Sequence, residues 1–221
     1  MSESVGNNPF SIKDCDLAEI ATGRRAQNLR ELRDNLVKVD KSSIFHHFWG
    51  GLMRPRFVEP EFNNDFAAWA NHALHDMPLA ERLGVIDPTD FKSLDDLRQE
   101  LIEVIEERLD ESAWVPWAKP DQQFHFMRAQ TIVFDTRQRI EDPRELARVA
   151  PRLSLGSVFY HFIDARTRDP IGADDFRAWL LGFDGQYEAL CRRLAAIEPF
   201  FDSLVQLRKH LTRAFQEFFG G

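Results

Sequence analysis

The sequence predicts a mainly α-helical protein, close to an all-helical class, with one short β-strand in each of two tandem repeats related by pseudo-twofold symmetry. Three observations support this prediction: an internal repeat that spans the chain, apolar residues at helical spacing, and capping residues where helices should begin. The chain has 221 residues, enough to bury a core without disulfides or metals. Its 19 Phe against 2 Tyr favour packing over polar contacts.

The repeat consists of matching segments that occur in the same order in both halves. Residues 43–48 (SIFHHF) align with 157–162 (SVFYHF), and the Arg-Glu-Leu triplet at 30–32 aligns without a gap with the one at 144–146. The order also holds, with only a small length change, for the Asp-Phe-x-Ala-Trp motifs at 65 and 175 and for the Phe-x-Ser-Leu motifs at 91 and 201. A match of this extent indicates a tandem duplication.

We expect residues 10–109 to form repeat unit 1 and residues 124–219 to form repeat unit 2, with both packed as one globular body. Pro and Trp residues interrupt the helical periodicity at 110–123, which predicts a linker that packs onto that body. Residues 1–9 lack the basic and apolar regions of a signal peptide, and we expect them to be disordered.

Each repeat begins with an alternating segment, 10–20 or 124–134, that predicts a short strand. Five helices follow, and the second is apolar nearly all round, which is typical of a buried helix. The last helix of the first copy, 94–109, is amphipathic. The residues predicted to begin or cap these helices are Asn28, Ser43, Asn64, Ser93, Asp142, Ser157, Asp174 and Ser203.

Composition and missing motifs exclude several classes of function. The net charge of −8 and the absence of a basic stripe argue against nucleic acid as a partner. No apolar run reaches the roughly 20 residues that span a bilayer, so we expect no membrane association. Two distant cysteines fit a reducing compartment, and we expect a cytoplasmic protein. No phosphate-binding glycine loop, nucleophile turn or Cys-x-x-Cys occurs, so no catalytic residue or cofactor is assigned.

His47 and His161 occupy equivalent positions in the most apolar helix of each repeat. The simpler interpretation is that each is a core histidine hydrogen-bonded to a backbone or hydroxyl group. The alternative is that the two imidazoles meet near a pseudo-twofold axis and bind a ligand there. We assign both to a predicted ligand-binding site, since polar residues in an apolar helix need partners.

Arg25 and Arg139 also recur in both copies, near the predicted starts of the first helices. Guanidinium groups suit carboxylate or phosphate, so we add this pair to the predicted ligand-binding residues. Ion pairing with neighbouring acidic residues is the simpler interpretation of the same pair.

Two further patterns are weaker. His72 and His75 are three residues apart on a predicted helix and are weak metal-site candidates, because the second copy has glycines there and no further ligands are in recognisable spacing. Asp65 and Asp175 precede Phe and Trp at fixed spacing. Helix capping explains them better than acid–base chemistry does.

Several segments resemble an uncharacterised prokaryotic family, a domain of unknown function, over almost the whole chain: 22–32 (TGRRAQNLREL), 43–48, 64–69 (NDFAAW) and 155–162 (LGSVFYHF). The resemblance implies a setting beside sugar glycosyltransferases and related carbohydrate enzymes. It transfers no catalytic residue.

These observations favour a non-enzymatic accessory or regulatory module. Its expected partner is a small polar or anionic ligand, or a glycosyltransferase-type enzyme. Two alternatives stay open: a metal-assisted hydrolase that uses His46, His47, His161 and carboxylates, and a purely structural homodimer or scaffold.

Overall fold

The structure is a computed structural model that describes residues 8–54, 60–111, 120–168 and 172–220. It is mostly helical with one strand in each half, as expected, but the two strands form an antiparallel sheet, so the protein does not belong to the all-helical class. Most of the expected N-terminal segment, and residues 112–119 of the expected linker, lie outside the described residues. No described helix is long and apolar enough to cross a membrane.

Each half consists of one long strand followed by helices. The first half contains β1 (Phe10–Ala26), α1 (Leu29–Leu36), α2 (Lys41–Trp49), α3 (Asp65–His72), α4 (Met77–Gly84) and α5 (Leu94–Glu111). The second half contains β2 (Phe124–Ile140), α6 (Leu146–Val149), α7 (Leu155–Val158), α8 (Asp175–Leu180), α9 (Glu188–Ala195) and α10 (Leu204–Phe219). A π-helical turn, Phe159–Ile163, continues α7.

The compact units do not coincide with the sequence repeats. One unit, called here the central unit, comprises residues 17–131, and the terminal unit comprises residues 1–16 with 132–221. The first half of β1 therefore lies in the terminal unit and its second half in the central unit, whereas the first half of β2 lies in the central unit and its second half in the terminal unit. The segment that opens one repeat packs with the helices of the other repeat, so the repeats exchange strand segments.

Strand pairing follows the same pattern in both units. In the central unit, the Thr22 hydroxyl donates to the carbonyl oxygen of Phe126 (2.6 Å). In the terminal unit, the hydroxyl of Thr136, the repeat equivalent of Thr22, donates to the carbonyl oxygen of Ile12 (2.5 Å). These reciprocal bonds fix an antiparallel register that the duplication has kept.

The strands are longer than the expected 10–20 and 124–134, and the expectation of a short strand was wrong. Their second halves are largely exposed, so the hydrophobic alternation that marks a strand in sequence is lost there. Backbone pairing to the first half of the other strand extends each strand beyond the alternating segment.

Capping explains where several helices begin. The Asn28 side chain accepts from the backbone N–H of Glu31, Asn64 and Asp174 cap α3 and α8 in the same way, and Ser203 forms a full capping box with Gln206. These predicted caps are confirmed. The helix expected from Ser43 instead begins at Lys41, because Asp40 accepts from the backbone N–H of Ser42 and is the cap.

Each unit has its own apolar core. In the central unit, α5 buries Leu97, Leu101, Ile102 and Ile105 and packs on α1, α2 and α4. In the terminal unit, α10 packs on α6, α7 and α9, and it buries Leu204, Leu207, Leu211, Ala214 and Phe215.

Candidate functional site

His47 lies in α2 and is bonded through both ring nitrogens. Its Nε2 accepts a hydrogen bond from the backbone N–H of Met127 (3.1 Å), and its Nδ1 lies 2.8 Å from a carboxylate oxygen of Asp65, in the first turn of α3. Because a backbone N–H can only donate, Nε2 carries no proton in this arrangement. The proton is therefore on Nδ1 and is donated to Asp65, which makes His47 a neutral link between β2 and α3.

His161 repeats this arrangement in the terminal unit. Its Nε2 accepts from the backbone N–H of Lys13 (2.9 Å), and its Nδ1 donates to Asp175 (2.7 Å) at the start of α8. Each histidine thus joins an exchanged strand segment to a helix start. We call the two arrangements the histidine clamps: His47 with Met127 and Asp65, and His161 with Lys13 and Asp175.

Aromatic rings surround both clamps in the same way. The His47 ring centroid lies 4.8 Å from that of Phe124 and 5.2 Å from that of Phe66. The His161 ring lies 5.0 Å from Phe10 and 5.6 Å from Phe176, the repeat equivalents of those two residues. This geometry corresponds to the simpler interpretation of the sequence, in which each is a core histidine. A ligand at His47 and His161 stays a prediction.

His46, His47 and Asp65 form the group of potential metal ligands found among the described residues, with one ligand atom from each within 4.8 Å of the others. His46 is buried, and its Nδ1 has no hydrogen-bond partner among the residues that the structure describes. Burial, and then the neighbouring His47, lower the pKa of His46 below its usual value, so the imidazole stays neutral. However, both nitrogens of His47 are occupied, so a metal would have to displace Met127 or Asp65.

The second repeat has no histidine equivalent to His46. Tyr160 occupies that position, and its ring lies under the Arg168 guanidinium, with 4.2 Å from the central guanidinium carbon to the ring centroid. The histidine–aspartate pair is therefore kept in both repeats, whereas the third potential metal ligand is not. This pattern favours a structural role for the pair.

The other predicted site residues are not hydrogen-bond partners in the clamps. Arg25 is exposed on β1 in the central unit, and Arg139 is exposed on β2 in the terminal unit, where its guanidinium binds both carboxylate oxygens of Asp135. That ion pair holds the pKa of Asp135 well below its usual range. The structure thus gives Arg139 the ion pairing of the simpler interpretation.

His72 and His75 are exposed and approach different carboxylates. His72 lies 3.7 Å from Glu61, and His75 lies 2.7 Å from Asp121. Helix α3 ends at His72, and His75 follows in the left-handed region with φ of 56°. The expected spacing on one helix face therefore does not occur.

The terminal unit contains a cavity of about 360 Å³, lined by both polar and apolar side chains, that no sequence pattern indicated. Its wall combines the exchanged segment of β1, the second half of β2, and the chain from α6 to α7. The lining residues are Ile12, Asp14, Thr136, Gln138, Arg148, Val149, Arg152, Leu153, Ser154 and Ser157. We call this space the terminal cavity.

Charged groups of both signs face the terminal cavity without neutralising each other. Arg148 pairs with Glu145 (3.1 Å). Within the described ranges, Arg152 has no hydrogen bond or ion pair, and the Asp14 carboxylate accepts only from the backbone N–H of Cys15 (2.8 Å). A cavity wall that carries a solvent-exposed guanidinium and a carboxylate, without an ion pair between them, has the chemistry of a binding site for a polar molecule.

Comparison with known sequences gives the family. Residues 7–216 match a family of unknown function (DUF5752). The chain belongs to that family. It is also similar to the solved structure of OrfY from Thermoproteus tenax, with 29% sequence identity, 99% of each chain covered and a TM-score of 0.86. No curated protein matches the chain.

The matched segment of this DUF5752 chain includes both repeats. The repeats differ in side-chain size and charge at positions that line the terminal cavity. The gapless alignment that pairs His47 with His161 places Phe126 opposite Ile12 and Arg128 opposite Asp14. Phe126 is fully buried, so the larger side chain fills space in the central unit. Comparing the repeats for charge reversals could have identified Asp14 as a candidate site residue.

Proposed function

We propose that this protein is a non-catalytic accessory module that binds a small, polar, anionic ligand in the terminal cavity. The observation that supports the proposal is the pair of arginines at its wall, four residues apart, of which Arg152 has no partner among the described residues. Guanidinium forks bind phosphate and carboxylate groups with charge-assisted hydrogen bonds, which are about twice as strong as neutral ones.

The size and lining of the cavity limit the ligand. A volume of about 360 Å³ is near the lower end of ligand pockets, roughly 300–1,000 Å³, and fits a molecule of about one sugar ring. Hydroxyl and amide groups of Thr136, Gln138, Ser154 and Ser157 supply hydrogen bonds beside the arginines. The family resemblance to proteins met beside sugar glycosyltransferases agrees with a carbohydrate-linked ligand, and we propose such an enzyme as the partner that the module serves.

A second candidate function is a metal-assisted hydrolase centred on His46, His47 and Asp65, favoured by the closeness of their ligand atoms. It is the weaker proposal, because binding at His47 would break a hydrogen bond of its clamp. Stoichiometric zinc, lost on chelation together with a hydrolytic activity, would promote it above the binding module.

The binding proposal is tested by titration calorimetry with inorganic phosphate, glycerol 1-phosphate, glucose 6-phosphate and gluconate. We expect at least one of these anions to bind, and Arg152→Met to weaken that binding by roughly 10- to 100-fold, the equivalent of a lost hydrogen bond to a charged group. The matched control is Lys38→Met, the equivalent position in the central unit, which should leave the affinity unchanged. No binding by any of the four anions, or equal weakening by both variants, would contradict the proposal.

A further inference from the structure

We infer that the terminal cavity selects a hydroxylated anion, such as the phosphate ester of a polyol, and that Asp14 is the residue that determines this specificity. The inference rests on the proposed function, because it concerns the same cavity. It goes beyond that proposal by naming a second part of the ligand: hydrogen-bond-donating groups at a distance from the anionic group.

The position of Asp14 is fixed by close packing against the start of α7. A Cβ atom at Gly156 would collide with the Asp14 carboxylate and with the backbone of Cys15. The Cys15 thiol donates to the carbonyl oxygen of Gly156 (3.3 Å), and the backbone N–H of Cys15 donates to Asp14 Oδ1. The carboxylate is therefore held at the cavity wall by the exchanged strand segment, and it does not depend on the ligand for its position.

Two hydroxyl groups of the cavity wall, those of Thr136 and Ser154, donate to other acceptors and not to this carboxylate. The Thr136 hydroxyl donates to the carbonyl oxygen of Ile12, and the Ser154 hydroxyl donates to Ser157 Oγ (2.9 Å). Each hydroxyl has one proton to donate and also accepts a backbone N–H, from Gln138 and Ser157 respectively, so Thr136 and Ser154 each offer the cavity one acceptor lone pair and no donor. Together with Asp14, they form an acceptor-rich part of the wall.

The donors lie elsewhere on the wall. Arg148 and Arg152 carry five N–H groups each and no acceptor, and both come from the turn between α6 and α7. A complementary ligand therefore presents an anionic group to the arginines and hydroxyl donors to Asp14 and the two side-chain oxygens. A phosphorylated or carboxylated polyol has both parts, whereas an anion without donors would leave Asp14 with only its hydrogen bond from Cys15.

The central unit lacks this combination of charges. Arg128, Asp34 and Lys38 stand at the positions of Asp14, Arg148 and Arg152. The reversed charge at Arg128 removes the acceptor group, and the buried Phe126 replaces the smaller Ile12. We therefore expect one such site per chain.

Three phosphate monoesters that differ only in their alcohol part test the inference. Glycerol 1-phosphate offers hydroxyl donors, methyl phosphate offers none, and phosphoethanolamine offers an ammonium group. We expect titration calorimetry of the full chain to show glycerol 1-phosphate binding at least tenfold more tightly than methyl phosphate. Asp14→Asn should reduce the preference for glycerol 1-phosphate to about twofold or less without weakening methyl phosphate. The matched control Arg128→Gln should leave the preference unchanged.

The outcomes separate this inference from the proposed function. Equal affinities for glycerol 1-phosphate and methyl phosphate would overturn the selection of hydroxyl groups, while anion binding itself would stand. Tightest binding of phosphoethanolamine would mean that Asp14 binds a cation, which also overturns the inference. Absence of binding by all three esters would contradict the inference. If the four anions of the earlier titration also failed to bind, the proposed function would be contradicted as well. Asp14→Asn keeps the oxygen that accepts from Cys15, and its thermal unfolding, measured in parallel, should match the wild type.

Discussion

At the scale of single residues, the histidine clamps make a direct prediction about stability. His47→Phe leaves the backbone N–H of Met127 without an acceptor, and His161→Phe does the same to Lys13. Loss of a partner by a buried donor costs about 1–3 kcal/mol, so we expect each variant to lower the free energy of unfolding by that amount. Denaturant unfolding measures it.

The control for this prediction is His47→Gln, which keeps a hydrogen-bond donor and an acceptor. It should lower the free energy of unfolding by less than His47→Phe does. His125→Phe, at an exposed position, should have almost no effect. Phenylalanine variants at positions 47 and 161 that equal or exceed wild-type stability would show that the clamps are not structural.

His46 gives a prediction about pH. Its pKa is lowered in the folded protein by burial and by His47, whereas the unfolded chain has the ordinary value near 6.5. Below about pH 6.5 the unfolded state therefore binds a proton that the folded state does not, and the free energy of unfolding falls as pH falls through this window. We expect His46→Gln to lose less stability than wild type between pH 7.5 and 5.5. An identical pH dependence in the two proteins would contradict this assignment.

Residue-level features were predicted unequally from the sequence. Caps such as Asn28 and Ser203 depend on neighbours within four residues, so the local pattern was sufficient. The partners of His47 and His161 lie 80 and 148 residues away at Met127 and Lys13, so the sequence could indicate a need for partners without naming them.

At the scale of elements, the contact between β1 and α7 is the most sensitive to added volume. Gly156→Ala places a methyl group against Asp14 and Cys15, and overpacking of this kind costs about 1–3 kcal/mol. We expect that loss in denaturant unfolding. Ser42→Ala is the matched control, because the equivalent position in the first repeat already carries a Cβ atom, and its effect should be within about 0.5 kcal/mol.

The Cys15 thiol reports whether the strand has moved. Burial, together with nearby Asp164 and Asp14, raises the pKa of Cys15 to about 12, so alkylation at pH 8 is slow in the native protein. Displacement of β1 in Gly156→Ala should increase that rate. A variant with wild-type stability and an unchanged alkylation rate would show that the contact accommodates the methyl group without cost.

The helices were predicted better than the strands, for a physical reason. An amphipathic helix such as α5 shows its buried face in its own sequence, and the expected 94–109 agrees with the observed Leu94–Glu111. The second half of β2 is exposed on nearly every residue from Ile132 to Arg139, so no alternation marks it. Pairing with β1, which no local pattern reports, makes it a strand.

At the scale of the whole molecule, strand exchange predicts that neither repeat folds alone. A fragment of residues 1–111 lacks Phe124 and Phe126, which are buried in the central unit, and a fragment of residues 120–221 lacks Phe10 and Ile12 of the terminal unit. We expect each fragment alone to show no cooperative thermal unfolding by circular dichroism. An equimolar mixture should recover the helical signal.

The fragment experiment has a clear contrary result. A monomeric fragment that unfolds cooperatively by itself would mean that the strand segment can pack on the helices of its own repeat. Sequence alone revealed the duplication, because matching residues recur in order, but it could not show the exchange. Exchanged and unexchanged arrangements bury the same side chains and leave the same pattern in the sequence.

We propose that the duplicated chain holds one ligand site, in the terminal cavity. Native mass spectrometry in the presence of glycerol 1-phosphate tests it most directly by counting bound molecules per chain. We predict one adduct on the wild-type chain and on Lys38→Met, and none on Arg152→Met at the same ligand concentration. Two adducts per chain, or an adduct that Arg152→Met leaves intact, would show that the terminal cavity is not the one ligand site.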